Sequence, residues 1–559
     1  MANRKIFFWR SRRQSRTDEN LLADAINEAG GAAYRFDARH ALAQLAATGT
    51  FEDTYYATGE SQLSQVLKLI EQIEDAQYLA KLAVYAREKA FMKDMPAALL
   101  VALSRRDTQL MHRVFDRVVD HGKVLRSVFQ MVRSGQFTSL HGVVRRGLSS
   151  SMKRAFQRWL NEASVIRLLN ASIGNDPTMR DILRMARPTP KDDQRRALFG
   201  WLAGRDVASW GPATESDLPL EVQRLEKYRR AEREEEQLEV LEALRGVRWE
   251  LFADGAKGPK VWARIAETMG PQALRMNLNT LARHEVFGER SRDGRSMMEL
   301  VAARIADEKE VRQSRQFPYQ YFTSYLFAEE GVPERVRKSL NEAAEIACGN
   351  VPKLPGPIVI GLDASGSMGS PVTGKRTASG TTKMTCRDVA ALIAAALLRA
   401  NPGSVVIPFD TQAYTGWYQR LRQPASILEL AGYLKGFGGG GTNCAVPVEA
   451  AMKHFGEREF AGVVIISDNE SWWGRGHAGS TALATAWKAF VFRQRLQFKT
   501  QFHPKLVCID LQPNTTTQVP DRQDVLNIGG FSDSVFSTIG RFFDGAPKHW
   551  VDEVEAIEL

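Results

Sequence analysis

Cysteine is scarce. Four stand in 559 residues, Cys348, Cys386, Cys444 and Cys508, far apart and with no C-x-x-C pair. That spacing fits neither a disulfide framework nor a zinc site, and a reducing, cytoplasmic setting is the expectation. Long apolar runs are missing as well. The longest, Val389–Leu398, is about half a membrane span and reads as a buried helix. The opening MANRKIFFWRSRRQSR has too short an apolar patch for a secretory leader, so no membrane partner is expected and an extracellular adhesion role loses ground. Catalytic signatures are absent too. The nine histidines follow no H-E-x-x-H spacing, Ser365 and Ser367 sit in no G-x-S-x-G elbow, and GSPVTGKR (369–376) has Arg where a phosphate-binding loop needs Ser or Thr. No enzyme activity is expected.

What is present starts with size and charge. A chain of 559 residues, 44% hydrophobic, has room for two or more cores, and its net charge of +10 favours a polyanionic partner. In PIVIGLDASGSMG (357–369) an apolar run with the length of a buried parallel strand ends in Asp363, Ser365 and Ser367. The loop at the carboxyl end of such a strand is where open α/β sheets place ligands. One carboxylate and two hydroxyls are hard oxygen donors that suit Mg²⁺ or another divalent cation. Two later stretches strengthen the pattern: GGGGTN (438–443) supplies Thr442, and VVIISDNE (463–470) delivers Asp468 at a second strand end. Together Asp363, Ser365, Ser367, Thr442 and Asp468 resemble the metal-ion-dependent adhesion site of von Willebrand factor A domains, over roughly 357–549. The plainer alternative makes the serines helix caps and Asp468 a turn acid.

Taken in order, residues 1–16 read as a basic arm, and the pattern from Asp18 to about Ala203 is helical throughout. Gln62–Ala90 carries apolar residues at i, i+3, i+4 with a break near Asp75. Short helices in succession suggest an α-solenoid, although no fixed sequence period marks it. Glu221–Arg245 reads as one densely charged helix with a solvated face. Asn350–Pro357, with three prolines, links to the metal-loop domain. There, strands alternate with helices as a doubly wound sheet, with Thr415–Gln419 as an antiparallel edge strand and 550–559 as a tail.

The basic charge is concentrated. From Asp120 to Glu162 no acid intervenes, while Lys123, Arg126, Arg133, Arg145, Arg146, Lys153, Arg154 and Arg158 do. Lys153, Arg154 and Arg158 share a helix face around Phe156 and Trp159, which point inward. In MRDILRMARPTPK (179–191), Arg180, Arg184 and Arg187 fall at i, i+4, i+7 as one stripe, with Lys191 beyond a Pro-x-Pro turn. Such a cationic stripe suits a phosphate backbone. The bland reading is a solvated helix face.

RDILRMARPTP resembles the R-D-hydrophobic-L-R…P-x-P signature of the TROVE module of Ro ribonucleoproteins. FMKDMPAALLVAL (91–103), VRWELF (247–252), ALRMNLNTL (273–281) and SRQFPYQYF (314–322) resemble the same module in its usual order. TROVE followed by a von Willebrand A domain is the Ro architecture, and the resemblance spans roughly 17–549. It implies a HEAT-like helical-repeat domain (17–350) closed into a ring by the A domain (357–549), monomeric because one chain closes it. It implies Y-like noncoding RNA on a basic outer surface, single-stranded ends of misfolded RNA in a central hole, and an exoribonuclease as a further partner. By position, Lys153, Arg154 and Arg158 match the basic helix that meets RNA, and Arg180, Arg184 and Lys191 the stripe beside it; Arg145, Arg146 and Arg187 are RNA-binding candidates from the basic clusters themselves. Many Ro proteins have histidine where this chain has Arg187; a phosphate contact survives that change, a neutral hydrogen-bonding role does not. The rival class is an intracellular A-domain module recruiting an acidic protein through its metal site.

Overall fold

The computed structural model describes residues 22–27, 29–35, 37–48, 59–137, 146–314, 316, 318–349, 351–372, 384–417, 426–468, 470–472, 474, 480–498, 503–512, 516–520, 522–530, 533–544 and 550–559. The basic arm and Arg145 lie outside these. The chain divides into two compact units: 1–44 with 52–58 and 351–549, and 45–51 with 59–350 and 550–559.

The helical unit is built from capped amphipathic segments. Asp75 ends the helix Gly59–Gln72 region and caps Ala76–Glu88 by accepting from the Gln77 and Tyr78 amides. Asp107 does the same for Thr108–Val118, Ser149 for Ser150–Glu162, and Thr178 with Asp181 forms a capping box on Met179–Ala186. Each side chain satisfies amides that the first helical turn leaves unpaired. Ala76–Glu88, Thr108–Val118, Ser150–Glu162 and Met179–Ala186 pack side by side as one layer. Asp94–Arg106, Gly122–Ser134 and Val165–Ala171 form a second. The expected inward pair is there: Phe156 and Trp159 are buried, and Phe156 stacks edge-on to Phe115.

Two expectations for this half are corrected. The charged stretch 221–245 is two helices, Leu220–Arg230 and Glu234–Ala243, because extended backbone at Ala231 and Arg233 breaks it. The segment 550–559 is no separate tail. Its helix Trp550–Glu555 packs on Ala76–Glu88, where Tyr85 Oη donates to Glu553 (2.7 Å) and Arg117 and Arg113 donate to the Glu558 and Leu559 carbonyls.

The other unit holds a five-stranded parallel sheet. Its strands, in chain order with two short amino-terminal ones, are β1 (Ala25–Ile26), β2 (Ala32–Arg35), β3 (Ile358–Asp363), β4 (Val405–Phe409), β5 (Gly462–Ser467), β6 (Lys505–Asp510), β7 (Thr516–Thr517) and β8 (Val525–Gly529). The sheet order is β4-β3-β5-β6-β8, every pair parallel, so the winding direction reverses between β3 and β5. The helix Cys386–Ala400, with the full Val389–Leu397 run buried, covers the sheet as the apolar stretch requires. No antiparallel edge strand forms at 415–417: Phe409 bridges Ala413, and Trp417 folds back to donate to the Val406 carbonyl, while 418–419 lie outside the described residues. The helical reading from residue 18 also fails at 25–35. There β1 and β2 make an antiparallel hairpin whose far strand pairs with β7.

Candidate metal centre and nucleic-acid interface

β3 and β5 flank the switch point of the sheet, and their carboxyl ends open into the crevice where such sheets bind ligands. Asp363 closes β3 and Asp468 follows β5; both are fully buried. Asp363 Oδ1 accepts from the Ser365 amide (2.8 Å) and Oδ2 from the Ser467 hydroxyl (2.5 Å). Ser365 and Ser367 hydroxyls lie 3.2 Å apart. The Gly366 amide donates to the Gly440 carbonyl, which ties this loop to the glycine-rich one and brings up Thr442, 2% exposed. Gly438 is required there: its φ is +83°, and a Cβ would stand 2.2 Å from the Ala364 carbonyl oxygen. The structure thus gathers all five sequence-identified residues at one end of one sheet.

Two buried like charges are costly. Burial first, then the Asp468 carboxylate, pushes the Asp363 carboxyl well above the usual range, and burial likewise raises Asp468. Asp468 Oδ2 is buried with no hydrogen-bond partner among the described residues. An orphaned carboxylate oxygen amid three hydroxyls is a donor set that fits a hard divalent cation. Among the described residues no three His, Cys, Asp or Glu side chains converge as a metal cluster; this group has only two carboxylates.

Sequence reasoning missed the supports. Asp410, after β4, accepts from the Gln412 amide, the Tyr414 hydroxyl and the Gly440 amide, and so fixes the glycine-rich loop. Asp510 ends β6 and is buried as well. VVIPFD and LVCID carry the signal already present in IVIGLD and VVIISD: an apolar run closed by aspartate. The β1–β2 hairpin is a second support. Asn27 donates to the Ser471 carbonyl (3.0 Å) and the Ala29 amide to Glu470 (3.0 Å), holding the loop that follows Asp468.

In the helical unit, Arg146, Arg154, Arg180, Arg184, Arg187 and Lys191 are exposed and Lys153 is half-buried. None of the seven makes a side-chain hydrogen bond or ion pair among the described residues. Arg158 differs: it pairs with Asp116 at 2.8 Å. Arg187 also departs from the helical stripe. It caps Met179–Ala186 with φ +46°, as Pro188 after it ends the helix. That bend turns Arg184 and Arg187 onto a cleft of about 550 Å³ whose rim includes Arg196 and Arg205, against Pro188 and Trp210. The last two arginines were not foreseen, since they belong to the next helix and the loop beyond it.

Comparison with known proteins follows the same division. Residues 357–543 match the family described as the Ro60 vWA domain. Over 550 residues the chain is 23% identical to the RNA-binding protein RO60 of Deinococcus radiodurans, covering 93% of this chain and 95% of that protein. The crystal structure of the Deinococcus radiodurans RO (RSR) protein superposes with a TM-score of 0.62 at 19% identity, over 91% of this chain and 100% of that one. At that identity the likeness is one of fold.

Proposed function

We propose that this chain is a Ro-type RNA-binding protein, whose helical unit grips polynucleotide and whose sheet unit holds a divalent cation; its likeness to the Ro60 vWA domain and to an RNA-binding RO60 protein supports the reading. One observation carries the reading: seven cations with no partner among the described residues, on Ser150–Glu162, Met179–Ala186 and their flanks. Cations left unpaired in a folded protein are available to displace counterions from phosphates. Y-like noncoding RNA is the ligand assigned to this face, and single-stranded ends of misfolded RNA to the centre of a monomeric ring. The setting is cytoplasmic RNA quality control, with an exoribonuclease as partner and no catalysis by this chain. Mg²⁺ would be held by Ser365, Ser367, Thr442 and the two aspartates, and would offset their buried charge. A gel-shift series with structured RNA and single-stranded tails, run against salt, tests the reading. Retention that weakens steeply with salt is expected; indifference to every transcript at low salt overturns it.

A second reading has one observation in its favour. Trp472, 48% exposed, has its amide on the Thr442 carbonyl, beside the oxygen cluster. An aromatic at the rim of a cation site suits a partner protein that brings a carboxylate to the metal. Trp472→Ala would weaken such a partner and leave RNA binding untouched.

A further inference from the structure

A second group of cations lies away from the face just described. Lys93 precedes the helix Asp94–Arg106, Lys123 and Arg126 stand in the first turns of Gly122–Ser134, and Arg87 and Arg248 join them. Arg87 is neutralised by Asp120 (2.7 Å) and Arg248 by Glu250. Asp94 accepts from Ser127. The other three are not neutralised: neither lysine has a hydrogen bond or ion pair among the described residues. Nor does the Arg126 guanidinium, whose Nη1 is wholly buried.

That guanidinium is deliberately housed. It lies against Gly174, where φ is +114° and a Cβ would stand 2.2 Å from Nη1. A guanidinium without an acceptor costs free energy, and Arg126 as a whole is only half-buried, so an anion can offset its charge from the solvent side without reaching Nη1. Desolvation, and then Lys123 and Arg87, hold the Lys93 ammonium below the usual lysine range, and the neighbouring Asp94 offsets this only in part. Phe91, two residues before Lys93, is 49% exposed, and an exposed ring is a surface on which a base can stack.

We infer that Lys93, Lys123 and Arg126 form a second phosphate-binding site, which receives the backbone of a single-stranded nucleic acid with a base on Phe91. The site is separate from the Lys153–Arg154 face. Arg105, at the far end of Asp94–Arg106, lines one cavity with Ser149 and Ser150, so the two sites are separated by that helix, about 20 Å long. Free phosphate offers the same chemistry without the base, and the inference rests on the reading that this unit binds RNA.

The test is fluorescence anisotropy with a labelled single-stranded oligonucleotide, on the full chain, at several salt concentrations. The variant is Lys93→Gln with Lys123→Gln, which removes charge without touching the core, checked for an unchanged melting curve. Binding about 10-fold weaker is expected, with the salt slope smaller by about 1.4 for two lost contacts to a single strand. The Lys93→Arg, Lys123→Arg variant should restore it. Wild-type affinity in the Gln variant at matched salt overturns the site while leaving the RNA reading intact. Wild type that retains no strand overturns both. In a parallel arm, inorganic phosphate that raises the wild-type melting temperature but not the variant's, with strand affinity unchanged, assigns the site to small anions and overturns the nucleic-acid occupant.

Discussion

The two units treat concentrated like charge in opposite ways. In the sheet unit Asp363 and Asp468 are fully buried, while in the helical unit Arg154, Arg180, Arg184 and Arg187 stand in water. Solvent makes the cations cheap to keep, since exposed charges are screened. The aspartates have no such screening, and burial raises both of their pKa values. The lesson is that the cationic face is cheap to keep without a ligand, whereas the acidic cluster is costly unless a proton or a cation offsets it.

The largest effect should come from reversing the exposed charges. Lys153→Glu with Arg154→Glu is expected to weaken RNA binding more than 100-fold, on the order of what several lost phosphate contacts cost, with folding intact by circular dichroism. An unchanged gel shift at matched salt would place the interface elsewhere. On the buried side, isothermal titration with Mg²⁺ should give binding to wild type and none to Asp363→Ala. At a hundredfold excess over Kd the cation should stabilise the wild type by about 2.7 kcal/mol, an increment that chelator removes and the variant never shows. If both proteins bind alike, the oxygen cluster is not the site.

Much of this contrast is legible in the sequence, for local reasons. A strand that ends in aspartate, a hydroxyl two residues on and a glycine-rich loop are all short-range signals, and the five oxygen donors converge as the motifs imply. Asp410 and Asp510 carry the same short-range signal, an apolar run closed by aspartate. The β1–β2 hairpin was not legible. Its strands have two and four residues, and its partner β7 lies nearly five hundred residues on, so nothing nearby in sequence marks it. The sequence does mark the break at Arg187: a residue before proline is disfavoured in a helix, which argues against a stripe through that position.

Arg158 sharpens the comparison within the cationic face itself. Its helix position matches Lys153 and Arg154, but its guanidinium is engaged by Asp116 on the neighbouring helix and also reaches the His112 carbonyl. Sequence spacing along one helix carries no information about an acid on another. Arg158→Ala should therefore cost RNA affinity less than about 3-fold, since it releases few counterions, while Arg154→Ala costs more. Equal losses in a competition gel shift would mean that the Asp116 pair opens when RNA binds.

The smallest effect concerns a third acid, Asp181, which sits on the helix bearing Arg180 and Arg184. Hydrogen bonds from the Thr178 hydroxyl and amide, at 2.6 and 3.0 Å, hold its carboxyl below the usual range, the opposite direction from Asp363. A depressed folded pKa means that the unfolded chain binds protons first. The stabilisation is therefore complete above about pH 4, where an unfolded aspartate is ionised, and fades as pH falls through the depressed folded value. Asp181→Asn should lower stability at neutral pH by about 1 kcal/mol or less, as for a helix cap, with the difference from wild type shrinking in acid. Urea unfolding of both proteins at neutral and acid pH reads the difference. A penalty that stayed constant with pH would assign the cap's strength to shape, and the cationic stripe would owe its register to packing instead of to an ionised acid beneath it.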